Sequence, residues 1–213
     1  VPAHSGAHAQ VYASGTPVVH NGQNLADIDS GAYLKYQITT AAHQVLDPKA
    51  AITVYKNGVI QSPALYTLNR LYGTVTFASA LLNTDVVSAD ITYLPMTAVA
   101  GANSAEGSFS RAALDMTTFA SQGNTERVGG LGDASGTVGR FYQADQLFVN
   151  AVDAGSVLVV AYWSNTANAA PDWRVWALFN KADIKADPAS LIGETAGWVG
   201  TTDADGRQVS FGA

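Results

Sequence analysis

The sequence has no cysteine, which excludes a disulfide framework and any thiolate metal site. It has no run of about 18 apolar residues, so no membrane-spanning helix is expected. Its first ten residues, VPAHSGAHAQ, carry neither the basic nor the apolar stretch of a secretory leader. Charge is scarce as well: Asp, Glu, Lys and Arg make up 13% of the 213 residues, about half the usual share. Ala, Gly, Thr, Ser and Val fill the gap, a composition that leans toward β-structure and toward surface covered by something other than water. The net charge is −6. That argues against tight binding of nucleic acid, which needs clustered Lys and Arg. An acidic surface instead lets DNA pass, because like charges repel.

Catalytic and metal chemistry is equally thin. The four histidines, His4, His8, His20 and His43, all fall in the first fifth of the chain. No G-x-S-x-G elbow is present to pair a serine with one of them. His4 and His8 stand four apart, but Pro2, Ser5 and Gly6 oppose a helix there and no third zinc ligand follows. Asp203 and Asp205 before Gly206 resemble the start of a calcium loop, yet the Glu such a loop needs is absent. No enzyme activity, metal or cofactor is therefore expected, and a turn explains Asp203 to Gly206 with less.

What is present is a series of strand and turn signals. Residues 1–30 read as an N-terminal arm and a first strand, AQVYAS, followed by a loop from His20. Residues 31–98 read as a β-meander of four or five strands. YLKYQIT alternates. TAAHQVLDP reads as one or two helical turns, with Thr40 as a candidate N-cap and Pro48 as the stop. Asn57-Gly58 between β-rich runs is a strong hairpin signal, and Asn69 to Gly73 marks a second reversal. DVVSADITY is a further strand.

Residues 99–213 read as a β-sandwich. A slip of alternation at Ala112-Ala113 predicts a β-bulge. ADQLFVNAVDAG predicts a short helix with Leu147, Phe148 and Val152 on one side and Gly155 as its stop. In WRVWALFN both faces are apolar, so both are expected to be covered. ETAGWVGT and RQVSFG read as a closing strand pair. No repeat of about 20 to 50 residues is visible.

Between two of these strands lies LDMTTFASQGNTERVGGLGDASGTVGRFYQAD, residues 114–145. Its glycines suggest a phosphate cradle, but a Walker loop needs Gly-Lys-Ser/Thr and a following helix. Asp133-Ala134-Ser135 and a strand follow instead. The segment reads as a long polar arm, at 118–134, joining two strands. Long loops in compact domains usually serve binding.

LDMTTF, a polar gap, ERVGGLGDASGTVGRFY and the strand VLVVAYW together resemble the major tail tube proteins of long-tailed, non-contractile bacteriophages. Asp115, Thr117, Thr118, Phe119, Arg127, Gly130, Leu131, Asp133, Ser135 and Gly136 occupy the places of that family's strand-end and loop pattern. Thr137 stands where Ser is commoner. The ending TTDADGRQVSFG is similar too, and the first half looks like a β-module of phage structural proteins.

The resemblance implies an all-β dominated subunit, a β-sandwich or partial barrel with one short flanking helix, carrying an additional β module. It implies a virion location after synthesis in the host cytoplasm. It implies homo-hexameric rings that stack into a tube, other tail proteins as partners, and genomic DNA passing through the lumen without specific binding. No membrane is implied. The arm would reach the adjacent ring, with Phe119, Asn124, Glu126, Arg127, Leu131 and Asp133 as its contact residues. Two other functions remain open: another virion part, such as a capsid decoration or tail-tip protein, or a carbohydrate-binding β-sandwich using Trp163, Trp173, Trp176 and Trp198.

Overall fold

The computed structural model describes residues 10–115, 125, 127–164, 167, 170–186 and 191–211. The fold is all-β dominated, with one α-helix among the described residues. The chain opens with β1 (Gln10–Ser14) and then lays down seven strands in succession: β2 (Val18–Asp27), β3 (Lys35–Ile38), β4 (Thr53–Lys56), β5 (Val59–Ile60), β6 (Tyr66–Asn69), β7 (Thr74–Phe77) and β8 (Val87–Tyr93). It continues with β9 (Met96–Ala98), β10 (Ala102–Asp115), β11 (Arg127–Phe141), helix α1 (Leu147–Ala154), β12 (Val157–Trp163), β13 (Trp173–Lys185), β14 (Gly193–Gly200) and β15 (Val209–Phe211). No helix among the described residues is long and apolar enough to cross a membrane.

Two antiparallel sheets result. The first runs β10-β11-β14-β13-β12-β1-β9, with β15 added on β13, and curls into a half-barrel. The second runs β5-β4-β8-β2-β3-β7-β6. The second sheet is thus inserted whole between β1 and β9 of the first.

Local chemistry accounts for the turns. Asn57 and Gly58 both take positive φ, 51° and 78°, as a two-residue hairpin between twisted strands requires. A 3-10 turn at Ala41–His43 sits where helical turns are expected, though the Thr40 side chain makes no capping bond. Helix α1 ends at Gly155 in the left-handed region. Its Phe148 and Ala151 are buried, with Leu147 and Val152 packed beside them against the half-barrel core.

Three sequence-based expectations are corrected. The segment from His20 is not loop: it is β2, which pairs with β3 and β8. A bulge between His20 and Gln23 absorbs Asn21-Gly22, which mimics a turn. The second sheet accordingly begins at Val18 rather than at residue 31. The arm expected at 118–134 is strand from Arg127 onward, paired with β10. The closing strands β14 and β15 do not pair with each other; both pair with β13.

Gly136 of β11 has a packing reason. Gly136 faces Trp198 across the β11–β14 ladder. A Cβ at Gly136 would meet the Trp198 ring at 2.5 Å and the Glu106 carbonyl oxygen at 2.1 Å. The buried indole of Trp198 therefore lies on bare backbone.

His43 ties the 3-10 turn to the β2 bulge. Its Nδ1 donates to Gln23 Oε1 at 2.7 Å, and its ring stacks on Tyr93 at 4.0 Å and meets His20 edge-on at 4.9 Å. Burial first, and then the charge of His20, lowers its pKa below the ordinary 6.5.

Gly136→Ala will destabilise the fold by about 1–3 kcal/mol, the usual cost of overpacking, read as a lower denaturation midpoint with unchanged slope. For His43, the unfolded chain binds the proton more readily than the folded one between the lowered pKa and 6.5. Stability there rises with pH. Its contribution is complete above about 6.5 and is lost as the pH falls toward the lowered value. His43→Leu will flatten this limb in unfolding curves taken from pH 7 down to pH 5.

Candidate assembly surface

Strand β10 is the last strand of its sheet, and β11 covers one side of it. No strand lies on its other side among the described residues. A strand edge of 14 residues is a template for pairing with another chain. Natural edges are often blunted by Lys, Pro or brevity. Residues 102–115 contain neither Lys nor Pro. The opposite edge, β9, spans three residues.

Beyond its root the β10–β11 hairpin leaves the body of the molecule. Every residue from Ser110 to Asp115 is exposed, as are Arg127, Val128, Leu131, Gly132 and Asp133. The expected bulge is present between Arg111 and Ala113. Across it β10 advances from Arg111 to Ala113 while β11 moves from Gly132 to Gly129, so the extra residue lies on β11, at Gly130-Leu131. Leu131 is left 89% exposed, an unusual exposure for a leucine held in a strand. Leu114 faces Val128, and Asp115 faces Arg127.

Of the residues expected on the arm, Arg127, Leu131 and Asp133 share this exposed strand, whereas Phe119, Asn124 and Glu126 lie outside the described residues. Part-way along the hairpin, Arg111 and Leu131 share an open groove of about 540 Å³ with Asp205, Arg207 and Val209. Nothing in the sequence pattern brings Arg111 and Arg207 together.

The root is anchored by a buried ion group. Arg140 Nε donates to Glu194 Oε2 at 2.6 Å, and its two terminal nitrogens donate to Asp145 at 2.7 and 3.1 Å. Its guanidinium lies 4.8 Å from the centre of the Phe148 ring. Arg140 and Glu194 are fully buried. Burial works to lower the Arg140 pKa, but the bonds to Asp145 and Glu194 outweigh it and hold the group charged. Arg140 in turn holds the Asp145 carboxyl below its ordinary range, and Asp145 also accepts the Leu147 N–H at the start of α1.

Arg140 makes its ion pairs within the subunit. Arg174 bonds to the Leu71 carbonyl and lies over Tyr72.

The tryptophans do not form a sugar-stacking face. Trp176 and Trp198 are buried, Trp163 meets Tyr12, and Trp173 sits among Phe109, Tyr162 and Trp198. No family model matches the chain, and no curated protein matches it.

Removing Arg140 alone leaves a carboxylate buried without its counter-ion. Arg140→Met will cost about 3–5 kcal/mol by chemical denaturation. Pairing it with Glu194→Gln will recover part of that loss, because the stranded charge is gone.

Proposed function

We propose that this chain is a virion structural protein, a tail-tube subunit that assembles into stacked hexameric rings through which DNA passes. One observation carries the reading: a 14-residue strand edge free of Lys and Pro, on a projecting hairpin whose Leu114, Val128 and Leu131 face solvent. Such a surface is costly on a monomer and useful in an assembly. It coincides with the sequence stretch that resembles tail tube proteins. A neighbouring copy covering the β10 edge would remove both the open ladder and the apolar exposure.

The charge distribution supports the same reading. Residues 101–213 carry twelve Asp and Glu against seven Lys and Arg, and residues 1–100 carry five against four. The first sheet, built mainly from residues 96–211, is accordingly assigned to the lumen wall, where acidic groups repel DNA. The second sheet is assigned to the outside.

The experiment is sedimentation velocity of the purified protein with negative-stain microscopy of the same sample. Hexamers, rings or tubes are expected at high concentration. Leu131→Asp should abolish them while leaving the unfolding midpoint within about 0.5 kcal/mol of the parent, as for an exposed position. A protein that stays monomeric at every concentration and in particles would sink the proposal. Trimers would favour a capsid decoration role instead.

A further inference from the structure

Two histidines from separate elements meet on one face of the second sheet. On β2, Val18 pairs with Tyr93 and His20 with Ile91, so His20 and Tyr93 stand on the same face. His43, from the 3-10 turn, stacks on Tyr93, and its ring centre lies 4.9 Å from that of His20.

The tautomer of His43 is fixed by Gln23, which is buried. The Gln23 amide nitrogen lies 3.3 Å from the Asn24 carbonyl oxygen, a group that only accepts. It also reaches the Thr39 and Thr40 hydroxyls. The other amide atom is therefore the oxygen, and it accepts the His43 Nδ1–H at 2.7 Å. The proton of the neutral ring is on Nδ1, which leaves the lone pair on Nε2. Nε2 has no partner among the described residues and is open to solvent. Burial first, and then the charge of His20, hold the His43 pKa below 6.5, so the ring is neutral and the lone pair free at neutral pH. A bond to the far ring nitrogen that sets tautomer and orientation is the usual support of a metal-binding histidine.

The His20 ring is exposed and makes no hydrogen bond within the described residues. It is free to turn about Cβ–Cγ and present either nitrogen. Two imidazoles that share an ion at about 2.0–2.1 Å, with an angle between right and tetrahedral, have ring centres roughly 4.5–5.2 Å apart. The observed spacing falls in that interval. Among the described residues no third His, Cys, Asp or Glu joins the pair, so water completes the coordination and the site is an open one. Imidazole nitrogen suits late first-row ions, whereas calcium and magnesium take oxygen ligands.

We propose that His43 Nε2 and a ring nitrogen of His20 bind one divalent late first-row transition ion, of the zinc and nickel class, with Gln23 as the positioning residue. The site lies on the second sheet and does not rest on the tail-tube reading; a monomer would show it as well as a tube.

The test uses the full chain carrying His4→Ala and His8→Ala, which removes the other two histidines. Titration calorimetry with zinc chloride and nickel chloride is run against calcium chloride and magnesium chloride, with NMR of the histidine ring nitrogens in the zinc titration. Zinc and nickel should each bind saturably at one ion per chain. Zinc should shift the Nε2 signal of His43 while Nδ1 stays protonated. His20→Ala should weaken binding about ten-fold or more, at least the loss that follows removal of an outer-shell partner. Without the ion its unfolding midpoint should match the parent's, as for an exposed position. Absence of zinc and nickel binding would overturn the proposal, as would unchanged affinity in His20→Ala or a shift confined to other nitrogens. Calcium binding as tightly as zinc would overturn it too, by assigning the ion to carboxylates.

Discussion

From Arg174 to Ala177, β13 has no solvent face. Val175 and Ala177 point into the half-barrel core beside α1, while Trp176 points the other way. There, with Val159 of β12, it packs against Val45, Leu71, Tyr72 and Leu94 of the second sheet's connecting segments. Leu71, Val159 and Trp176 are wholly buried. Because side chains alternate along a strand, one strand serves two cores. The helix, the curl of the first sheet and the seat of the second sheet are all referred to it.

Polar groups fix how that contact is made. Arg70, buried, donates to Asp205 at 2.6 Å and to the Asp47 and Ala50 carbonyls. Arg174 reaches the Leu71 carbonyl and lies 4.5 Å from the centre of the Tyr72 ring. With no carboxylate to offset its burial, its pKa is pushed down to about 10. Asp203 accepts the Asp205 and Arg207 N–H groups, shaping the turn that presents Asp205 to Arg70, and it also accepts from the Trp176 indole at 3.3 Å. Two of these bonds, Arg70 to Asp205 and Arg174 to Leu71, join residues 135 and 103 positions apart, and directional bonds of this kind select one seating of the sheets where apolar packing alone is permissive.

The parts legible in the sequence were those whose cause is local. Asn57-Gly58 declares a hairpin through its own φ angles, and the two apolar faces of β13 are visible in WRVWALFN. The slip at Ala112-Ala113 shows in the alternation, though not that the extra residue lies on the facing strand. What escaped has a distant cause. Gly136 looks like part of a flexible arm because Trp198, which needs its bare backbone, stands 62 positions away. Strand β2 looks like a loop because Asn21-Gly22 sits in a bulge and its inward residues include Gln23. On the hairpin, the exposure of Leu131 follows from the bulge register and cannot be read from its neighbours.

The insertion of the second sheet between β1 and β9 bears on how the chain reaches its fold. Ser14 pairs with Met96, 82 positions away, and joining such distant points in an unstructured chain carries a substantial loop-closure entropy. The intervening strands form their sheet entirely among themselves. Once they have done so, Val18 and Tyr93 are already partners and the ends of β1 and β9 are held close. The inserted sheet thus acts as a splint: its own local pairings replace one long search by several shorter ones, lowering the effective contact order of the half-barrel that encloses it in sequence.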